Sequence, residues 1–382
     1  MRVIKAQAPN APPTPLTHRR VLKIALPIVL SNATVPILGA VDVGVVGQMG
    51  EAAPIGAVAM GAIILSTIFW IFGFLRMGTV GLVGQAAGAG DDDEVSAWLT
   101  RAMLVAVAGG AVLIAVQVPI FWAAFQLSPA SQEVENLARA YLSIRIWTAP
   151  AAIAVYALTG WLVAMERTGG VFWVQLAMNG LNIALSFVFV LGFGWGVEGV
   201  AYATVIAELA GAGLGIYLCR AALDRPAWRD WVRVFDRVKL VRMALLNTDI
   251  LLRSAMLMVI FSSFVFIGAR FGDVTLAANE VLIQFMYITA VQIEARAYLW
   301  WMVAAPIVGC AAWMFDGIFI GAARGRDMRN MMAISFVIYW VSIVVLLPLM
   351  GNHGLWAALL VSFAARGATL AVRYPALERG AA

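Results

Sequence analysis

Long apolar runs separated by short polar turns make up most of this chain. Ten runs are long enough to cross a bilayer as helices, since about 20 apolar residues suffice. They lie within residues 24–41, 52–90, 102–126, 135–165, 168–190, 200–218, 245–269, 297–322, 331–348 and 354–372. A shorter piece at 274–291 carries Asn279 and Glu280. The pattern predicts an all-α polytopic membrane protein.

The first run is unusual because it holds two prolines and is followed by an acid. Pro27 and Pro36 each remove a backbone donor and are expected to kink the helix. Asp42 follows directly, and an ionised acid at membrane depth usually faces a bundle interior or a watery cavity. We interpret Asp42 as a site that binds a cation or a proton. The alternative is a position at the water interface, because Gly50 and Glu51 follow closely.

Composition narrows the class of protein further. The chain is 63% hydrophobic and 12% charged, whereas soluble domains average about 25% charged residues. The two cysteines and the two histidines have no metal-ligand spacing. The sequence also contains no nucleophile–base pair and no cofactor loop. We therefore expect neither an enzyme nor a bound cofactor or metal, and a net charge of +5 requires no nucleic-acid partner.

The distribution of lysine and arginine sets the orientation, because cytoplasmic loops carry the excess. With the amino terminus inside, nineteen basic residues fall on inner segments, and the outer turns hold only Arg270 and Arg296. Residues 1–20 are predicted to be a disordered cytoplasmic tail. The basic segment 221–242 is predicted to be a solvated cytoplasmic linker helix. One face of that helix would carry arginines spaced by four residues, namely Arg225, Arg229, Arg233 and Arg237.

The two halves of the chain repeat each other. Three segments of the first half resemble segments of the second, namely 46–61 with 267–282, 149–167 with 305–324, and 194–211 with 350–367. Such repeats are typical of secondary transporters, whose substrate path lies between the halves. We therefore predict a six-helix lobe over 21–220, a truncated lobe over 243–373, and a tail over 374–382.

The second half lacks a counterpart of residues 74–94 and of the third run. Arg270 places the start of the shorter apolar piece outside, and the arginines at 324–329 require the following helix to end inside. Both ends of 275–296 then lie on one side of the membrane. We predict that this piece dips into or lies along the outer surface, which leaves the carboxyl terminus in the cytoplasm.

Several long motifs resemble one transporter family. The stretches IALPIVLSNATVPILGAVDVGVVGQMG, FLRMGTVGLVGQAAGAG, GWGVEGVAYATVIAE and DGIFIGAARGRDMRN are similar to the DinF branch of the multidrug and toxic compound extrusion (MATE) transporters. The resemblance implies a pseudo-symmetric bundle of two lobes, here with about 10–11 helices instead of twelve. It also implies export of small organic compounds, often cationic, in exchange for protons or sodium, by a monomer in the inner (plasma) membrane.

The resemblance assigns roles to four residues. Asp42 matches the family's first-helix acid, which is proposed to carry the ion or proton, and Asn182 and Thr204 match polar partners of that acid. Ser186 stands where the family often has a second acid. That departure favours protons, since hard cations want several oxygens and compensating charge. Asp316 matches an acid that is implicated in cation binding in the NorM branch.

Two other functions stay open at this point. The missing segment would make the chain an inactive truncated remnant if the second lobe cannot close. A lipid-linked precursor flippase of the same superfamily is the other alternative, against which the motifs argue. Five further charges within the apolar runs have no assigned role, namely Arg76, Arg145, Glu208, Arg253 and Arg366.

Overall fold

The computed structural model describes residues 25–31, 41, 44–48, 52–127, 131–271 and 295–379, and every regular element in them is helical. Nine helical segments in these ranges are long and apolar enough to cross a membrane. The all-α polytopic prediction is confirmed. Pro27 lies in a helical stretch, whereas Pro36 and Asp42 lie outside the described residues. Residues 272–294 do as well, so the predicted course of 275–296 stays a prediction.

The chain divides into two compact units, Met1–Leu240 and Val241–Ala382. In the amino-terminal unit the helices are α1 (Ala52–Ile71), α2 (Gly73–Gly88), α3 (Asp92–Ala115), α4 (Gln117–Leu127), α5 (Gln132–Arg145), α6 (Ala149–Ala164), α7 (Thr168–Ser186) and α8 (Gly196–Leu218). A short 3-10 turn joins α5 to α6, and a π-helical turn, Phe187–Gly192, extends α7.

Helix α6 lies at the centre of the amino-terminal unit, against α2, α3 and α8. Two glycines permit the close approach. A Cβ at Gly110 of α3 would lie 2.4 Å from the Pro150 Cα, and a Cβ at Gly160 would lie 2.7 Å from the Arg76 carbonyl oxygen. Small residues at such contacts let helix backbones pack closely in a membrane.

The acidic residues 91–94 form the beginning of a helix. Asp91 is the N-cap of α3, and its carboxylate accepts a hydrogen bond from the Glu94 backbone N–H at 2.9 Å. Three acids occupy the first turn of α3, where the helix dipole stabilises negative charge.

The predicted linker helix over 221–242 is wrong. The segment consists of α9 (Arg220–Leu223), a 3-10 turn (Pro226–Arg229) and α10 (Trp231–Val234), after which α11 (Arg237–Gly268) begins. Pro226 cannot continue a helix. Asp230 and Asp236 each accept a backbone N–H at 3.1 Å and so begin new helices. The four evenly spaced arginines therefore do not share one helical face.

Part of this connector is buried against α3 and is not solvated. Arg101 donates from Nε to the Val234 carbonyl at 2.8 Å and from Nη1 to Glu94 at 2.6 Å. Lys239 Nζ lies 2.6 Å from the other oxygen of Glu94. Both Arg101 and Glu94 are buried, so they tie the connector firmly to the amino-terminal unit.

The carboxy-terminal unit contains most of α11 together with α12 (Ala295–Gly321), α13 (Gly325–Met350) and α14 (Asn352–Arg379). Helix α14 packs against both α12 and α13. Tyr339 and Trp356 are fully buried in the resulting core. The predicted tail from residue 374 is instead the end of α14, which continues to Arg379.

Candidate coupling site

Three polar side chains form a hydrogen-bonded chain between α7 and α8. Asn182 donates from Nδ2 to the Thr204 hydroxyl at 2.7 Å, and Thr204 donates to the Val200 carbonyl at 2.8 Å. Ser186 donates to Asn182 Oδ1 at 3.4 Å. Asn182 and Ser186 are almost fully buried. We call Asn182, Ser186 and Thr204 the amide–hydroxyl network; it carries no charge.

The structure therefore brings together two of the residues that the sequence singled out, Asn182 and Thr204. Asp42, the acid predicted beside them, lies outside the described residues. Asp316 lies in the other unit, on α12.

Asp316 is paired with two arginines. Its Oδ2 forms an ion pair with Arg253 of α11 and lies 2.9 Å from Arg366 Nη2 of α14. All three side chains are less than a tenth exposed. A carboxylate that already neutralises buried arginines is poorly suited to bind a further cation, because breaking a buried ion pair is strongly unfavourable.

A second buried ion pair lies in the amino-terminal unit, where the sequence had offered no role. Arg145 Nη2 of α5 lies 3.1 Å from Glu208 Oε1 of α8. Glu208 comes one helical turn after Thr204, so the two share a face of α8. The only signal in the sequence was a charge within each apolar run, which does not show that α5 and α8 meet.

A cavity of about 420 Å³ opens where α1, α5 and α8 begin. Glu133, Glu198, Asn136 and Trp195 are among the residues that line it. The Trp195 ring stacks on Phe189 with centroids 5.0 Å apart. The orientation predicted from the basic residues places this cavity at the outer surface. No group of three or more histidine, cysteine or acidic residues in the described part of the chain could hold a metal ion.

Comparison with known proteins decides the family. The MatE family model matches residues 27–188. The DNA damage-inducible protein F of Escherichia coli is 32% identical over 413 residues, which covers 91% of this chain and 90% of that protein. The chain belongs to the MATE transporter family. A probable multidrug resistance protein NorM of Rhizobium meliloti is 29% identical and covers 74% of this chain and 61% of its own length.

Solved MATE structures share the fold. One, in the bent conformation, has a TM-score of 0.79 at 14% identity and covers 95% of this chain and 96% of its own. The bent form of the Vibrio cholerae MATE transporter VcmN has a TM-score of 0.77 at 16% identity, with coverages of 95% and 97%. The predicted two-lobe MATE fold is confirmed.

The alignment with the Escherichia coli relative also bears on the missing segment. It extends over 413 positions, more than the 382 residues of this chain. The relative therefore carries residues that have no counterpart here. The protein is a multi-pass transporter of the multidrug efflux family, and it is not an enzyme.

Proposed function

We propose that this MATE-family transporter exports small organic cations in exchange for protons, as a monomer in the inner (plasma) membrane. Family membership supports efflux of small substrates. The observation that carries the choice of proton over sodium is the amide–hydroxyl network, which carries no charge and whose oxygens already take part in hydrogen bonds.

The network offers a sodium ion no negative charge. Asn182 Oδ1 accepts from Ser186, and the Thr204 hydroxyl both accepts from Asn182 and donates to a backbone carbonyl. Hard cations require several free oxygen ligands and compensating negative charge. A proton requires only one titratable group, and in this proposal that group is Asp42.

Protonation of Asp42 would remove its charge and lower the cost of burying it. The first helix could then bend at Pro27, where the ring removes one backbone hydrogen bond, and so expel the substrate outward. Two solved structures similar to this chain are described as bent. We leave Asp316 out of the proton path because of its two arginine partners.

The residues that line the outer cavity favour a cationic substrate. Glu133 and Glu198 supply carboxylates, and neither forms an ion pair with a described residue. Trp195 supplies an exposed aromatic ring. Carboxylates together with an aromatic face attract organic cations through charge and cation–π interaction. This cavity would receive the cation as it leaves the transporter.

An inactive remnant is the second candidate, and a specific observation favours it. Helix α12 is much more exposed than its repeat partner α6, with Ile307 and Met314 at 74% and 63% exposure. A lobe that lacks neighbouring helices could fail to enclose a substrate. A lipid-linked precursor flippase has no comparable support in the structure.

Replacement of Asp42 by asparagine tests the proposal. Asparagine is nearly isosteric but cannot titrate, so D42N should raise ethidium accumulation in an efflux-deficient host to the level of the empty vector. Asp93→Asn is the matched control, since Asp93 is about half exposed in a surface ion pair and should export normally. Membrane insertion is checked by immunoblot of the membrane fraction.

Export by D42N at the parental rate would contradict the coupling role. A parental protein that inserts normally but never lowers ethidium accumulation would instead identify the chain as a remnant.

A further inference from the structure

Glu208 is a carboxylate inside a membrane-spanning helix, and such groups mark proton or ion paths by default. It lies on the packed face of α8 together with Val200, Thr204 and Gly211. Its side chain is 13% exposed, and that of its partner Arg145 is 8% exposed. The pair is therefore largely removed from solvent.

The two oxygens of Glu208 have different surroundings. Oε1 lies 3.1 Å from Arg145 Nη2. Oε2 is buried and has no hydrogen-bond partner among the residues that the structure describes. A buried charged oxygen without a partner is unfavourable, and a proton on Oε2 would remove that charge while leaving Oε1 beside the arginine.

The pair adjoins the amide–hydroxyl network. Thr204 lies one turn from Glu208 on the same face of α8 and accepts the hydrogen bond from Asn182 at 2.7 Å. Ser186, at the other end of this network, stands where the resemblance to the DinF branch implies a second acid. We propose that Glu208 is a second proton-binding site of the amino-terminal unit and takes the place of that acid. This inference rests on the proposed proton coupling.

The charges around Glu208 fit this role. Arg145 is held over the ring of Tyr141, with its Cζ 5.8 Å from the ring centroid. Tyr156 of α6 lies within electrostatic range of both Glu208 and Arg76. Helices α1 and α7 contribute no titratable side chain. Because Arg145 keeps its charge, protonation of Oε2 changes the ion pair from neutral to singly positive, which would repel a bound cation toward the exit.

The proton number per exported cation is the direct test. In proteoliposomes with the membrane potential held at zero, each coupled proton supports a roughly tenfold substrate gradient per pH unit. With protons on both Asp42 and Glu208, each pH unit should therefore support a tetraphenylphosphonium gradient of about 100-fold. Glu208→Gln should reduce this to about tenfold per pH unit. Glu135→Gln, at the surface ion pair with Arg139, should retain the parental gradient.

The double variant Arg145→Gln/Glu208→Gln separates proton binding from structure, because it removes both charges and leaves no unpaired arginine. It should also give only about a tenfold gradient. Recovery of the parental gradient would show that the ion pair is merely structural and would overturn the inference, as would a parental gradient in Glu208→Gln.

Infrared difference spectroscopy gives a reading that does not depend on export. Difference spectra of the purified protein are recorded between about pH 5 and pH 9, above the model-peptide range for carboxyl groups. The carboxyl band of the parent should lose one component in both Glu208→Gln variants. Identical titrations would overturn the inference. If the variants lose this component but the parent forms no tetraphenylphosphonium gradient, the proton site stands and only the export function is contradicted.

Discussion

Helices α6 and α12 are partners in the internal repeat, yet their surroundings differ. In an apolar 18-residue stretch of the span that ends with α6, 61% is buried. In the corresponding stretch of the span within α12, 28% is buried. Their glycines differ in the same way. A Cβ at Gly160 would lie 2.7 Å from a backbone oxygen of α2, whereas a Cβ at Gly317 would have no atom of another described residue within 4 Å.

The difference follows from the missing segment. Two of the three helices that cover α6 are α2 and α3, and the second half has no sequence that corresponds to these two. A repeat in the sequence therefore predicts the type of helix but does not predict its neighbours. The exposed side chains of α12 are apolar, among them Trp313 and Met314, and lipid chains suit such a surface as well as protein does.

The buried charges differ between the units as well. Within the described part of the chain, Glu208 has one arginine partner and one oxygen without a hydrogen bond, whereas Asp316 has two arginine partners on a single oxygen. Breaking a buried ion pair is strongly unfavourable, and Asp316 takes part in two of them. We infer that proton binding belongs to the amino-terminal unit and that the cluster around Asp316 stabilises the carboxy-terminal unit.

The largest expected effect is on stability and comes from Asp316→Asn. It leaves Arg253 and Arg366 without their shared carboxylate, and removing one partner of a buried ion pair costs about 3–5 kcal/mol. The thermal-unfolding midpoint in detergent should fall sharply. Asp327→Asn is the control, since its pair with Arg373 is partly exposed at 3.8 Å and is worth less than about 1 kcal/mol.

An unchanged midpoint in Asp316→Asn, together with lost export, would contradict the stabilising role. It would favour the cation-binding role that the resemblance to the NorM branch implies.

A medium effect is expected at the repeat-related glycines. Gly160→Ala should destabilise the protein by about 1–3 kcal/mol, because overpacking forces the backbones of α2 and α6 apart. Gly317→Ala should be neutral or slightly stabilising, since alanine favours helix by up to about 1 kcal/mol over glycine. Thermal unfolding of the two variants side by side measures the contrast. Equal losses of stability would show that α12 is covered as α6 is.

The sequence predicted the family and the spans that the structure describes, because apolar length and family motifs are local signals. It singled out Asn182 and Thr204 as partners of Asp42, but not their hydrogen bond to each other. It misplaced the connector, since arginine spacing suggested one helix while Pro226 and two aspartate caps divide the segment. The partners of Glu208 and Asp316 were not predictable, because each ion pair joins helices that are distant in the chain.

The smallest effect concerns the start of α11. Hydrogen bonding from the Lys239 backbone N–H lowers the pKa of Asp236. The cap is therefore fully formed above the unfolded pKa of about 3.9 and is lost as the pH falls through the lower folded value. A spin label at exposed Val238 should become mobile in that acid range.

Burial raises the pKa of Cys219 to about 12, so only Cys310 must be replaced before labelling.

Asp236→Asn supplies the control, because asparagine can cap the helix but does not titrate. Its label should keep the same mobility across the acid range, and a parental label without any pH response would contradict the cap.

The central claim is proton coupling in the amino-terminal unit, and ion-gradient transport in proteoliposomes tests it most directly. A pH gradient imposed without sodium should drive tetraphenylphosphonium accumulation in the parent and fail to do so in Asp42→Asn. A sodium gradient imposed with the pH gradient collapsed should drive none. Accumulation driven by sodium alone would contradict the account, because the amide–hydroxyl network would then have to release oxygens to bind the ion.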